Sequence, residues 1–143
     1  MRIAIGSDHA GFEYKQRIIE SLRQERHEVK DFGTNSTAPV DYPLFIFPVA
    51  RAVASNEFER GIVLGGSGNG EAMVANRVIG VRCAFCNTPE LARLAREHND
   101  ANMISLGQRI MTLDTALACI KIFLETPFAG GRHQERIALI DCL

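Results

Sequence analysis

Gly61-Ile-Val-Leu64, running on into Gly65-Gly66-Ser67-Gly68-Asn69-Gly70-Glu71, joins an all-apolar run to a glycine-rich loop. An apolar run without alternation is what a strand buried on both faces requires, since neither face meets water. A helix beginning at Glu71 makes the segment a strand–loop–helix unit of a parallel sheet. Four glycines in six residues let backbone N–H groups approach a ligand unobstructed, and a helix terminus favours negative charge, so the loop reads as an anion cradle. It meets the opening spacing of a nucleotide-binding P-loop, yet Glu71 follows where that motif places its phosphate-reaching lysine. The dinucleotide fingerprint fails too, because Glu71 stands in place of its third glycine.

Outward from this unit the same alternation repeats. Arg2-Ile-Ala-Ile5, ended by Gly6, is a strand, and Phe12, Lys15, Ile18, Ile19 and Leu22 fall at helical spacing. Glu28 to Phe32 gives a second strand. Leu44 to Asn56 returns to a helical pattern in which Pro48 predicts a kink or a late start. Gly80 to Phe85, the helix Pro89 to His98 opened by Thr88, the strand Asn102 to Leu106 and the helix Leu113 to Glu125 complete the alternation. Gly130 and Gly131 introduce a final helix predicted to reach Leu143. Five strands alternating with helices through short connections require an α/β fold, a three-layer Rossmann-like sandwich around a five-stranded parallel sheet. Ligands in such folds bind beyond the carboxyl ends of the strands. Asp8 and His9, the loop to Glu71, and Gln108 and Arg109 all follow strands.

The totals set limits on partners. A chain of 143 residues with 46% hydrophobic content forms one domain, residues 1–143, able to bury a core without disulfides. Sixteen basic against seventeen acidic residues leave a net charge of -1, which gives no electrostatic case for nucleic acid or membrane. The opening apolar run is too short for a signal peptide and no later run reaches spanning length, so the expected location is cytoplasmic. Cys83, Cys86, Cys119 and Cys142 are expected to be reduced thiols. Cys83-Ala-Phe-Cys86 has C-x-x-C spacing but falls on a strand, not at the helix start that redox pairs occupy, and it lacks further metal ligands.

A carboxylate beside an anion cradle repels a finished phosphate, increasingly so as water is excluded. It suits a developing anion. If Glu71 abstracts a proton from carbon next to a carbonyl, the negative charge leaves Glu71 and appears on a substrate oxygen that the loop amides can stabilise. The plainer reading makes Glu71 a favourable first-turn acid and Ser67 a loop-capping hydroxyl. Arg132 and Arg136 share a helix face, where like charges cost about 0.2–0.5 kcal/mol unless an anion lies between them. Arg109 is a third candidate donor, a planar guanidinium suiting phosphate oxygens. His98, ahead of Asn99-Asp100, reads as a general acid–base group or, favoured by sequence chemistry alone, as a helix C-terminal cap. Asp8-His9 is equally a site pair or a helix cap. His27, among Glu25, Arg26 and Glu28, belongs to a solvated surface.

With these residues assembled, the chain closely resembles the type B ribose-5-phosphate isomerases, in the family that also holds galactose-6-phosphate and allose-6-phosphate isomerases. The resemblance rests on five separated motifs in the family's order: Gly6-Ser-Asp-His-Ala-Gly-Phe12, Asp41-Tyr-Pro43, Gly65 to Glu71, Ala95-Arg-Glu-His-Asn-Asp100 and Gly130-Gly-Arg-His-Gln134. It implies a homodimer that uses no metal and no cofactor, with a tetramer as the further option, whose sites lie at the subunit interface. It implies that His98 assists opening of the sugar ring and that Asp8 handles the ring-oxygen proton. Ser67, Asn99 and loop amides, those of Gly66, Gly68 and Gly70 among them, contact the reacting oxygens. Arg109, Arg132, Arg136, His9 and His133 match the family's phosphate contacts, and Tyr42 lines the site. Many members place a cysteine base at position 65. This chain has glycine there and resembles the branch that uses glutamate at position 71.

The reaction expected from that resemblance is aldose–ketose isomerisation of ribose 5-phosphate and ribulose 5-phosphate through a cis-enediolate. Allose 6-phosphate, galactose 6-phosphate or a tetrose phosphate are alternative substrates, because pocket length is not legible in sequence. A non-catalytic phosphoryl-receiver or nucleotide-binding module is the rival from another class. A receiver would want an acid at the end of the third strand and a lysine after the fifth; Gly65 and Gly107-Gln-Arg109 stand there instead.

Overall fold

The computed structural model describes residues 1–142. Five strands, β1 (Arg2–Ser7), β2 (Glu28–Asp31), β3 (Arg60–Gly65), β4 (Cys83–Phe85) and β5 (Met103–Gly107), form one parallel sheet in the order β2-β1-β3-β5-β4. The helices between them are α1 (Phe12–Gln24), α2 (Pro43–Ala54), α3 (Asn69–Ala75) and α4 (Pro89–Asn99), followed by α5 (Leu113–Glu125) and α6 (Arg132–Ile137). The expected three-layer α/β sandwich is the observed one.

Alternate residues of each strand feed the two cores. Ile3, Ile5, Ile62, Leu64, Ile104 and Leu106 face α1, α4 and α5, whereas Ala4, Val63 and Met103 face α2. Register pairs Ile5 with Ile62 and Val63 with Ser105, so the central strands bury both faces. Each fully buried Ile or Leu contributes roughly 1.5–3 kcal/mol of transfer free energy. The right-handed crossover rule explains the sidedness. Steps β1 to β2 and β4 to β5 move one way along the sheet and put α1 and α4 on one face; steps β2 to β3 and β3 to β4 move the other way and put α2 and α3 on the opposite face. The reversal occurs between β1 and β3. A crevice beyond their carboxyl ends follows, flanked by Asp8 and by the Gly65–Glu71 loop.

Several element boundaries depart from the sequence reading. α2 neither breaks nor starts late at Pro48, but runs from Pro43 to Ala54. Pro48 lies within two turns of the helix start, so its missing N–H forfeits a single bond, to the carbonyl of the well-exposed Leu44. α3 starts two residues ahead of Glu71. β4 is three residues long because Gly80 is left-handed (φ 89°) and the Asn102 side chain replaces ladder bonds there, accepting from Arg82 N–H and donating to Gly80 C=O. α6 stops at Ile137 and gives way to single turns, since it buries no residue that would sustain it. Leu143 lies outside the described residues.

Candidate active site

Three strand ends meet at the crevice. Leaving β1, Asp8 is 8% exposed, and its Oδ1 accepts the N–H groups of Ala10 and Gly11 at 2.9 and 3.1 Å. Those bonds close the turn ahead of α1 and do not cap the helix itself, whose N-cap is Gly11 without a side-chain bond, and they leave Oδ2 uncommitted. Next to it, the Nδ1 of His9 accepts the Val40 N–H at 3.1 Å, so a neutral His9 carries its proton on Nε2 and ties the 34–42 loop to the site.

Leaving β3, the loop packs against its neighbours more tightly than side chains would permit. A Cβ on Gly11 would stand 2.7 Å from the Leu64 backbone, and one on Gly70 would stand 2.8 Å from the Tyr42 ring. A Cβ on Gly65 would fall inside the Glu71 carboxylate. Glu71 therefore lies folded back over Gly65, with 4% of its surface exposed. Burial pushes its carboxyl above the ordinary carboxylate range; its own backbone N–H opposes the shift, and the nearby Asp8 carboxylate adds to it. A buried carboxylate held partly toward neutrality is a stronger base than a solvated one. The first-turn acid of the plainer reading would be exposed and hydrated, and Glu71 is neither. Ser67 Oγ does cap the loop, accepting the Asn69 N–H at 3.2 Å, and its own proton remains free to donate. The N–H groups of Ser67, Gly68 and Gly70 have no acceptor among the described residues.

Leaving β5, Gln108 and Arg109 donate their backbone N–H groups to the carbonyls of Gly65 and Gly66, each at 2.9 Å. The Arg109 side chain lies over Gly66, where a Cβ would stand 3.3 Å from Cδ and 3.4 Å from a guanidinium nitrogen. One end of the sheet thus gathers Asp8, His9, Tyr42, the loop, Glu71 and Arg109.

The remaining candidates sit at the other end. His98 and Asn99 close α4 immediately before β5, at the amino ends of the strands, and five strand residues place them roughly 17 Å from the crevice along the sheet. His98 stacks on His133, ring centroids 4.5 Å apart and planes 13° from parallel. Arg132 and Arg136 flank that pair on α6. Slight burial and then the charges of His98, Arg132 and Arg136 push His133 below the ordinary histidine range, as a cluster of like charges awaiting an anion would. The α4 terminus is rigidly held. Buried Arg96 donates to Asp100 Oδ1 and the Ala101 carbonyl at 2.8 and 2.6 Å, and Arg82 reaches the carbonyls of Asn99 and Asp100 at 3.0 and 2.9 Å. Arg96 and Asp100 lay inside a motif already singled out, but Arg82 carried no local signal, because its partners are 17 and 18 residues away.

The four cysteines form no disulfide, and burial pushes the Cys86 thiol up to about 12, so it stays an unreactive core side chain. Among the described residues no cluster of acids, histidines and cysteines is arranged to hold a metal.

The chain is 48% identical over 142 residues to the ribose-5-phosphate isomerase B of Mycolicibacterium paratuberculosis, covering 98% of this chain and 89% of the relative, and 39% identical to that of Escherichia coli, covering 99% and 95%. Among solved structures, ribose-5-phosphate isomerase B of Clostridium thermocellum superposes with a TM-score of 0.97 at 47% identity, covering 99% of this chain and 95% of the other. The Mycoplasma genitalium enzyme with bound ribulose-5-phosphate superposes at 0.95 with 40% identity, covering 99% and 94%. The profile of the family described as Ribose/Galactose Isomerase matches residues 3–140, and the chain belongs to that family.

Proposed function

We propose that residues 1–143 act as one cytoplasmic sugar-phosphate isomerase domain that interconverts ribose 5-phosphate and ribulose 5-phosphate, with Glu71 as the base. The observation that carries this is the Glu71 carboxylate, buried against Gly65 at the switch point of the sheet, with unpaired loop amides beside it. Relatives named for that reaction, at up to 48% identity over nearly the whole chain, support the choice of substrate.

The chemistry follows from the groups present. Asp8 and His98 move the proton that opens the furanose ring. Glu71 takes the C2 proton as the C1 carbonyl becomes an enediolate oxygen, and the loop amides and the Ser67 hydroxyl stabilise that oxygen, where charge develops only in the transition state. Glu71 then returns the proton to C1 while the C2 hydroxyl passes its own to the C1 oxygen, leaving a C2 carbonyl and a C1 hydroxyl, the ketose. No electrons leave the substrate, so neither a redox cofactor nor a metal is needed for balance. Arg109 and His9 on one side and Arg132, His133 and Arg136 on the other hold the phosphate, bidentate guanidinium contacts fixing the register of the sugar.

Since those two sides lie at opposite ends of the sheet, a complete site needs two copies. A two-fold dimer in which each partner's α4–α6 end meets the other's crevice makes two identical sites. Exposed Leu44, Met73 and Ile79, on and beside α2 and α3, offer apolar surface for it, as does a groove of about 500 Å³ lined by Phe47, Met73, Val74 and Arg77. No helix among the described residues is long and apolar enough to cross a membrane.

Replacing Glu71 with Gln tests the reading: isomerisation of ribose 5-phosphate and solvent exchange of the C2 hydrogen should both fall by at least about a hundredfold, the contribution of a positioned base. Near-normal exchange in the variant would remove Glu71 from the mechanism. Turnover of ribose, allose and galactose phosphates by the native protein, measured side by side, fixes the substrate.

A further inference from the structure

Ser105 lies in the middle of β5 with no exposed surface, a lone hydroxyl in the run Met103-Ile-Ser-Leu-Gly107. A buried hydroxyl is costly unless bonded. Its Oγ donates to the Gly68 carbonyl oxygen at 2.7 Å, and the same oxygen accepts the Ala72 N–H at 3.1 Å, the bond that opens α3. α4 and α5 each begin with a threonine whose hydroxyl accepts a first-turn N–H; α3 begins with Gly68, which has no side chain to do so. Gly68 is instead left-handed (φ 87°) and pressed onto β5, where a Cβ would stand 3.0 Å from the Leu106 carbonyl carbon. Among the described residues Ser105 is the only side chain of another element that hydrogen-bonds to residues 66–75.

The peptide it grips joins Gly68 to Asn69. Its carbonyl faces Ser105 and its N–H donates to Ser67 Oγ, so one bond from β5 orients the Ser67 hydroxyl on one side and begins the turn that ends at Glu71 on the other. We propose that Ser105 is a positioning residue for the isomerase reaction: its hydroxyl pins the Gly68–Asn69 peptide to the sheet and thereby sets where Ser67, the Gly70 amide and the Glu71 carboxylate stand against the substrate. This rests on the isomerase reading above. Ser105 touches no reacting atom. Phosphate contacts belong to other residues, so its effect falls on the chemical step and not on substrate affinity.

Ser105→Ala and Ser105→Cys, the latter similar in shape but bulkier and a weaker donor, are the variants to compare. With ribose 5-phosphate, Ser105→Ala should lower kcat by about tenfold to a hundredfold, the scale of a sub-ångström to one-ångström misplacement, with KM within about twofold of native and Ser105→Cys between the two. The acid limb of the kcat profile should move to lower pH, because a slackened α3 admits water to Glu71 and its neighbour Asp8. A folded variant with kcat within about twofold of native and an unmoved acid limb overturns the proposal, as does a loss that resides in KM. Should the alanine variant fail to fold, the cysteine variant decides by the same criteria. Amide hydrogen exchange gives a readout independent of turnover: Ser105→Ala should speed exchange at the Ala72 amide, which is bonded to the Gly68 carbonyl, by about tenfold while the α4 amides stay protected, and unchanged exchange rejects the anchor. A native protein inactive on ribose 5-phosphate would reject the isomerase reading while the exchange result still decides the anchor.

Discussion

Burying an ionisable carboxyl group sets stability against function at one residue. Glu71 holds its proton more tightly in the folded chain than in the unfolded one, chiefly through desolvation. Below the ordinary carboxylate pKa both states are protonated and Glu71 costs nothing. As the pH rises, the unfolded chain releases its proton first, so stability falls until the folded Glu71 has ionised as well, above which the full cost is present. Glu71→Gln should therefore melt higher than the native protein at pH 8 while being inactive, and the gap should close toward pH 4, as calorimetry across that range would show. Equal melting temperatures at pH 8 would mean that the carboxylate is not strained by its burial. The presence of a carboxylate after the glycine loop was legible in sequence. Its fold-back over Gly65 was not, because that contact depends on a side-chain rotamer that no local pattern encodes. The contact also accounts for the bare position 65: a side chain there and the Glu71 carboxylate would claim one volume.

At the scale of elements, periodicity placed Lys15 on the buried stripe of α1 beside Ile18, Ile19 and Leu22 but left its partner unspecified. The structure supplies Asp31 at the end of β2, both oxygens within 2.7 Å of a fully buried Nζ, with Asp31 Oδ1 also accepting the Gly33 N–H. The pair joins α1 to the edge strand and fixes the turn leading to the 34–42 loop. Breaking a buried pair from one side strands the other charge, so Asp31→Asn should destabilise the protein by about 3 kcal/mol, read from urea unfolding. Adding Lys15→Met to that variant should recover much of the loss, since an apolar side chain of similar length suits the site that surrounds Lys15. A single variant within experimental scatter of native stability would show the pair to be dispensable. The same limit of local reading appears at β4. Its shortening came from the Asn102 amide, about twenty residues away in sequence, displacing ladder bonds.

For the whole molecule, the arrangement that matters is the separation of the two residue groups by the length of the sheet. Topology alone dictates it: residues following a parallel strand and residues preceding one lie at opposite ends. The order of elements was legible in sequence, and with it the placement of Asp8, Glu71 and Arg109 together. The distant placement of His98 follows from the same order, yet the meeting of His98 with His133 rests on how α6 packs back on α4, which a helix without a buried face does not announce. If the two groups complete each other across a dimer, inactive variants from opposite ends should complement. Glu71→Gln supplies an intact α4–α6 end, and His98→Asn supplies an intact crevice. In a mixed dimer one site then has both native groups and the other has neither. Random reassortment makes half the dimers mixed, so an equimolar mixture unfolded and refolded together should recover about a quarter of native activity. Each variant refolded alone should recover almost none. A mixture no more active than the separate variants would mean that Glu71 and His98 serve the same site from one chain, which would require α4 to leave the amino end of the sheet.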